Sequence, residues 1–288
     1  MLSVIIPCAS RFDLLVEQLE ALTTMACPEP WEVVVVDNGL VRPESFDAEI
    51  GHFTCRLPSL TIVRAIEKRG AGYARNVGAS ISTGDKLAFL DADDVAGAGW
   101  LQAMSRALDE HDVVASRWDV ERLNDAGALA ARKNGQADGV RSYDYPPFLD
   151  HAGGCGLGVR SAAFEAVGGF DEMFILLEDT DLTWRLQLAG YGLAFEPDAL
   201  VHIRFRQTTR GSFKQAFGYG KYNVLLYKRY RSRGMPKLRV LDGLFSLWKQ
   251  LKHLSWLRHP EGRARYARSL GFVLGRVGGS LVFLIWGL

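Results

Sequence analysis

Cysteine is scarce in this chain of 288 residues. Cys8, Cys27, Cys55 and Cys155 show neither a Cys-x-x-Cys spacing nor a metal-type pairing with histidine. That pattern excludes a disulfide scaffold and a zinc ribbon, and the thiols read as reduced groups of a cytosolic protein. A long apolar run is missing as well. Leu270–Leu288 carries Arg276 as its only charge, and the twelve residues beyond Arg276 are too few to span a bilayer. Met1 leads directly into the strand-like Leu2-Ser-Val-Ile-Ile-Pro7 without a charged n-region, so no secretory leader is expected. Acidic residues nearly vanish from the last third of the chain. Residues 201–288 hold 18 Lys+Arg against Asp242 and Glu261, a local charge of +16 balanced by −15 over residues 1–200. So lopsided a distribution points to an anionic partner for the basic region.

What is present fits one large α/β domain with an appendage: 48% of the residues are hydrophobic and 23% charged, with no internal repeat. Leu2–Ile6, Glu32–Val36, Leu60–Ile66 and Lys86–Leu90 are short apolar runs of the buried-strand kind. Between them Phe12–Leu22 and Tyr73–Ile81 read as helices, the first placing Leu15, Leu19 and Leu22 on one face. Arg42–Pro58 has no clear periodicity and reads as a long connection. Such alternation predicts a mostly parallel sheet with helices on both faces, and in sheets of that kind ligands bind beyond the carboxyl ends of the strands.

Those strand ends are polar. Strand four runs straight into Asp91-Ala-Asp-Asp94, and crowding like charges beyond a buried strand costs free energy unless something positive sits there. A hard divalent cation, Mn²⁺ or Mg²⁺, held by these carboxylates together with substrate phosphates would resolve that cost; a polar loop capping the next helix is the plainer alternative. Pro7-Cys-Ala-Ser-Arg11 and Asp37-Asn-Gly39 close the first two strands. A second acidic cluster, Glu178-Asp-Thr-Asp181, opens a helical stretch in which Glu178 and Asp181 share a face. Acids in a first helical turn are also favourable with the macrodipole alone.

Six motifs occur in order: Ser3-Val-Ile-Ile-Pro-Cys-Ala-Ser-Arg11, Val34-Val-Val-Asp-Asn-Gly39, Gly70-Ala-Gly-Tyr-Ala-Arg-Asn-Val-Gly78, Phe89-Leu-Asp-Ala-Asp-Asp94, Gly168-Gly-Phe-Asp-Glu172 and Glu178-Asp-Thr-Asp-Leu-Thr-Trp-Arg185. Together they resemble family 2 glycosyltransferases over residues 1–205. Two motifs depart from the family pattern: Cys8-Ala-Ser stands where Thr-Tyr-Asn is usual, and Asp37-Asn-Gly-Leu40 where Asp-Asp-Gly-Ser is usual. The resemblance implies a GT-A-type, Rossmann-like catalytic domain over 1–210 with a mostly parallel sheet and helices on both faces, and the residues beyond it read as a basic, aromatic-rich helical region over 211–288. It also implies inverting, metal-dependent transfer of a hexosyl or deoxyhexosyl group from a UDP-, dTDP- or GDP-sugar to a glycan, lipid-linked or small-molecule acceptor. A nucleotide-sugar-binding protein without turnover, or a nucleotidyltransferase on a related sheet, is the alternative.

The resemblance also implies roles. Pro7, Ala9, Arg11, Asp37, Arg75 and Asp91 would hold the nucleotide, with Asp37 accepting from a base N–H or serving only as a turn residue. Arg75 would reach the base or the diphosphate, or else sit on a helix surface. Asp93, Asp91 and His202 would ligate the metal, and Asp94 would serve the site or cap the next turn. Asp179 would be the general base, and Gly154, Cys155, Glu178 and Asp181 would line the sugar and the acceptor. Arg185 would hold an acid in place.

The last eighty residues are of a different kind. Phe217, Tyr219, Tyr222, Tyr227 and Tyr230 interleave with Lys221, Lys228, Arg229, Arg231 and Arg233. Leu241, Leu244, Phe245, Trp248 and Leu251 then follow helical spacing, with Lys249 and Lys252 opposite. Basic, aromatic-rich helices suit an anionic membrane surface, which would place the protein in the cytoplasm or peripherally on the inner face of the membrane; a helical lid is the alternative. No nucleic-acid motif accompanies the charge, so none is expected as a partner.

Overall fold

A computed structural model of the chain describes residues 1–39, 46–238 and 248–287. Leu40 and Arg42, the spaced Leu241, Leu244 and Phe245, and the terminal Leu288 lie outside the described residues. By their contacts the described residues form two compact units. One comprises residues 1–119, 135–141 and 150–203; the other comprises 120–134, 142–149 and 204–288.

The first unit is built on a sheet whose eight described strands are β1 (Leu2–Cys8), β2 (Trp31–Asp37), β3 (Leu60–Arg64), β4 (Lys86–Phe89), β5 (Val95–Ala96), β6 (Val113–Asp119), β7 (Leu157–Arg160) and β8 (Leu193–His202). Their order is β3-β2-β1-β4-β7-β6-β8-β5. The parallel half, β3-β2-β1-β4, is the one that the apolar runs predict, and β1 and β2 are buried on nearly every residue. Beyond it the sheet is mixed. β7 runs antiparallel to β4 and β6, β8 runs parallel to β6, and the two-residue β5 pairs antiparallel with β8. Helices α1 (Phe12–Thr23), α3 (Ala71–Ile81), α4 (Trp100–Glu110) and α7 (Glu178–Leu188) are the longer ones of this unit, and α2 (Phe46–Gly51) and α6 (Ser161–Ala166) are short. Phe89, Phe164 and Phe170 pack ring against ring in the core, directly below the strand ends that carry the acids.

In the second unit α5 (Ala126–Ala131), α8 (Thr209–Tyr230) and α9 (Pro260–Val282) are the named helices, with a 3₁₀ turn at His253–Arg258. The glycines of the apolar C-terminal run have a packing role. Gly271, Gly275 and Gly279 meet the carbonyls of Phe213, Phe217 and Lys221, each pair four residues beyond the last, so α8 and α9 run parallel at close range. A Cβ at Gly271 or Gly279 would stand 2.6 Å from the facing carbonyl oxygen, and one at Gly275 nearer still. Arg276 is buried in the same contact, its guanidinium donating to Asn223 Oδ1 at 2.7 Å and to the carbonyl of Gly287, with its Cζ 4.0 Å from the Tyr145 ring centre. Burial lowers its pKa to about 10. Among the described residues no helix is long and apolar enough to cross a membrane.

Two outcomes follow from this packing. Gly275→Ala should destabilise the protein by about 1–3 kcal/mol in chemical denaturation, because overpacking against a backbone carbonyl outweighs the better helix propensity of alanine. Gly278→Ala, whose Cβ would meet only Phe217 Cζ at 3.4 Å, should be neutral or stabilising. In the first unit His151 is buried in a two-stranded bridge with Arg141, and its imidazole is lowered from 6.5 to about 3, by burial first and by Arg141 second. The folded chain therefore stays unprotonated there while the unfolded chain takes up a proton below about pH 6.5. Stability is full above that pH and falls as pH drops towards 3, by up to about 1.4 kcal/mol per pH unit from this group. Urea titrations of His151→Gln should show a shallower acid loss than the parent between those pH values.

Candidate active site

The ends of β1 and β2 are in register, with Cys8 opposite Asp37. The Asn38 amide N–H donates to the Cys8 carbonyl at 2.7 Å and its side chain spans to the β3–α3 connection, donating to the Ala65 and Lys68 carbonyls and accepting from Gly70 N–H at 3.1 Å. Asn38 thus ties the end of β2 to the β1 end through its backbone and to the β3–α3 connection through its side chain. Asp37 is fully buried beside it. Its Oδ1 accepts from Gly39 N–H at 3.0 Å, whereas Oδ2 has no hydrogen-bond partner among the described residues, with Arg64 Nε 3.8 Å away. A buried carboxylate oxygen left in that state favours a donor arriving from outside.

Pro7 and Ala9 lie at the end of β1, and Arg11 caps α1 in the left-handed region at φ 66°, exposed and ion-paired with Asp13 at 3.2 Å. Cys8 is pushed up to about 12 by burial, with Asp37 and Asp93 adding to the shift, and Asp93 also raises Arg11. The Asp93 charge is therefore felt at the β1 end. Asp94 lies by Cys155: one oxygen each of Asp91 and Asp94 and the Cys155 sulfur lie within 4.8 Å of one another. The Cys155 thiol hydrogen-bonds to Asp94 and accepts from Asp91 N–H at 3.3 Å; burial, then the two carboxylates, hold it well above the ordinary thiol range. The carboxylate oxygens of this group match a hard divalent cation. His202 lies across the sheet from the residue that follows Asp94. It sits opposite Val95 across β5 and β8, with Nδ1 2.6 Å from Asp119 Oδ2.

Arg75 on α3 is buried, which removes the surface-helix reading. Its Nη2 donates to Asp91 Oδ1 at 2.6 Å and its Nη1 to Glu178 Oε1 at 2.7 Å, while the Phe170 ring lies 5.3 Å from Cζ. Burial works against the guanidinium charge, but Asp91 and Glu178 more than reverse it, so the group stays cationic. Burial pushes the Glu178 carboxyl up; Arg75 pulls it back and the neighbouring Asp179 raises it further. One cation thus joins the acids of β4 to those of α7. Gly154 lies against Arg75, where a Cβ would be 2.9 Å from Nη2.

Leu177 initiates α7 with φ 64°, an unusual backbone for leucine, and the turn leads into the second acidic cluster. Asp179 accepts from Gly154 N–H at 2.8 Å on Oδ2, and on Oδ1 from Thr180 N–H at 2.7 Å and from the Thr180 hydroxyl at 3.3 Å. Its carboxylate is partly exposed and held in orientation. Asp181 is fully buried and ion-paired with Arg185 at 2.7 Å, and Arg185 also donates to the carbonyls of Val167 and Gly169. Glu178 and Asp181 are therefore committed to arginines, while Asp179 meets the glycine loop that carries Gly154 and Cys155.

Several supporting residues escape the sequence reading. Asn76 exchanges two hydrogen bonds of 2.8 Å with the Phe170 backbone, and Gln136 donates to the Ser116 carbonyl and accepts from Gly153 N–H at 3.0 Å. Gln18 bonds the Asp91 carbonyl and Ala96 N–H. Gln18 had a signal, since it interrupts the apolar face of Leu15, Leu19 and Leu22 and is fully buried. Gln136 had none.

Comparison with known proteins shows the family and the fold. The chain is 31% identical over 222 residues to a pre-mycofactocin glycosyltransferase of Mycobacterium tuberculosis, covering 75% of this chain and 46% of that protein. It is 30% identical over 200 residues to the glycosyltransferase AglE of Haloferax volcanii, covering 69% of this chain and 65% of that one. The chain thus spans about half to two thirds of the length of these relatives. In fold it resembles the mannosyltransferase PcManGT from Pyrobaculum calidifontis, solved with GDP-Man and Mn²⁺, at a TM-score of 0.60 and 18% identity over 98% of this chain and 74% of that one. It also resembles S. aureus TarS solved with UDP-GlcNAc, at 0.57 and 17% over 99% and 92%. Residues 3–165 match the model of glycosyl transferase family 2, and the chain belongs to that family.

Proposed function

We propose that this protein transfers a sugar from a nucleoside-diphosphate-sugar to an acceptor hydroxyl with inversion at the anomeric carbon. The observation that carries the reading is the Asp91–Arg75–Glu178 bridge. It brings two acidic motifs far apart in the chain to one place, beside the Gly154 N–H that orients Asp179. The nucleotide-sugars held by structural neighbours support the donor class.

In this reading the unsatisfied Oδ2 of Asp37 accepts a base N–H, and Pro7, Ala9 and Arg11 line the nucleoside side. Asp91, Asp93 and Asp94 would hold Mn²⁺ or Mg²⁺, with His202 as a further ligand on the neighbouring edge. Bound there, the cation would supply Lewis-acid stabilisation of the departing diphosphate. Asp179 takes the proton of the acceptor hydroxyl as that oxygen forms its bond to the anomeric carbon, and the bond to the diphosphate breaks with its electron pair leaving on phosphate oxygen. Glu178 and Asp181 stay paired with their arginines and hold the helix that aims Asp179. The acceptor is a glycan, a lipid-linked or a small-molecule hydroxyl, and the basic 211–288 region meets an anionic membrane surface.

Asp179→Asn keeps the shape and removes the proton acceptor. Turnover should fall by about 10²-fold or more while donor affinity stays within a few fold, and near-normal turnover would move the role to Asp181 or Glu178. Calorimetry of nucleoside-diphosphate binding tests the cation separately. Affinity should drop at least about tenfold, or about 1.4 kcal/mol, on chelation and in Asp93→Ala, and undiminished binding in both would defeat the metal-bridge idea.

A further inference from the structure

Trp248, Leu251, Leu254 and Leu257 recur every third residue along the helical stretch that ends in the 3₁₀ turn His253–Arg258. In a 3₁₀ turn side chains three apart eclipse one another, so Leu254 and Leu257 align on one side. All four are substantially exposed, from 40% at Leu257 to 65% at Leu251. The same stretch frames a cavity of about 460 Å³ lined by Ser255, Trp256, Arg258, His259 and Arg265, among others. Trp256 is its aromatic wall, stacked on His253 at 3.9 Å between ring centres and carrying the Arg265 guanidinium 4.3 Å from its own. Lys252 lies 4.1 Å from the Trp248 ring, and the sequence places one acid, Glu261, among Lys249, Lys252, Arg258, Arg263, Arg265 and Arg268. The potential is felt locally, since burial and then Arg265 and Lys249 lower His253.

An apolar ridge beside a pocket of guanidinium groups matches one kind of occupant. Leucine and tryptophan side chains enter the acyl and headgroup boundary of a bilayer, while arginine forks hold phosphate oxygens. We propose that this element is a lipid-binding site: the Arg258–Arg265 cavity takes the phosphate headgroup of an anionic phospholipid, and the Trp248–Leu257 ridge inserts beside it. The proposal rests on the membrane-facing reading of the basic region and says where the bilayer is met.

Co-sedimentation of the full chain with phosphatidylcholine vesicles, with and without phosphatidylglycerol, tests it. The parent should partition to the anionic vesicles and barely to the neutral ones. Arg258→Gln combined with Arg265→Gln should lower that partitioning by about tenfold or more, and Leu254→Ser combined with Leu257→Ser should lower it comparably. Arg231→Gln with Arg233→Gln removes the same charge from a separate exposed turn and should change it by no more than about twofold. An equal loss in that control would mean diffuse charge, overturning the site and leaving the membrane reading intact. Absence of partitioning by the parent would overturn both. Displacement by millimolar inorganic phosphate without any effect of the leucine pair would assign the cavity to free phosphate instead.

Discussion

The candidate site depends on one buried cation. Arg75 lies between Asp91 and Glu178, and each carboxylate would be a costly buried or half-buried charge without it. Removing one partner of such a pair typically costs about 3–5 kcal/mol, because the charge left behind has lost both water and its counter-ion. The bridge also sets geometry. It fixes the end of β4 against the start of α7, and everything placed on those two elements, from Asp94 to Asp179, inherits its position from that contact. Asn76 and Arg185 brace the same region by bonding the backbone around Gly169 and Phe170.

A second buried arginine shows the other solution to the same problem. Arg276 is met by Asn223, a carbonyl and an aromatic face instead of carboxylates, and burial draws its pKa down. Arg75, by contrast, gains more from its two acids than it loses to burial. Neutral partners satisfy hydrogen bonds without balancing charge, which suits a helix contact, whereas two carboxylates balance the charge of Arg75 and keep it cationic.

The neighbours of each acid show how differently the acids are held. Glu178 and Asp181 face inward to arginines, Asp179 faces the glycine loop, Asp94 lies by Cys155, and the charge of Asp93 is felt at the β1 end. Five carboxylates that look interchangeable in sequence are thus sorted by their neighbours. The same holds for Cys155, whose protonated thiol serves as a hydrogen-bonding link between Asp91 and Asp94.

Local chemistry by itself determined the parallel half of the sheet, the helices that follow β1 and β3, and the acids at the strand ends. Runs such as Trp31–Asp37 are β-branched and buried throughout, and such patterns need no distant partner to be read. The antiparallel β7, the bulged β8 and the two-residue β5 were not legible, because their pairing is set by strands far away in the chain. The site divides in the same way. Residue types at the strand ends announced carboxylate chemistry, but only tertiary structure buried Arg75, oriented Asp179 and set Asp94 by Cys155. Arg75 and Glu178 lie 103 residues apart, and no local propensity carries information about a contact at that range.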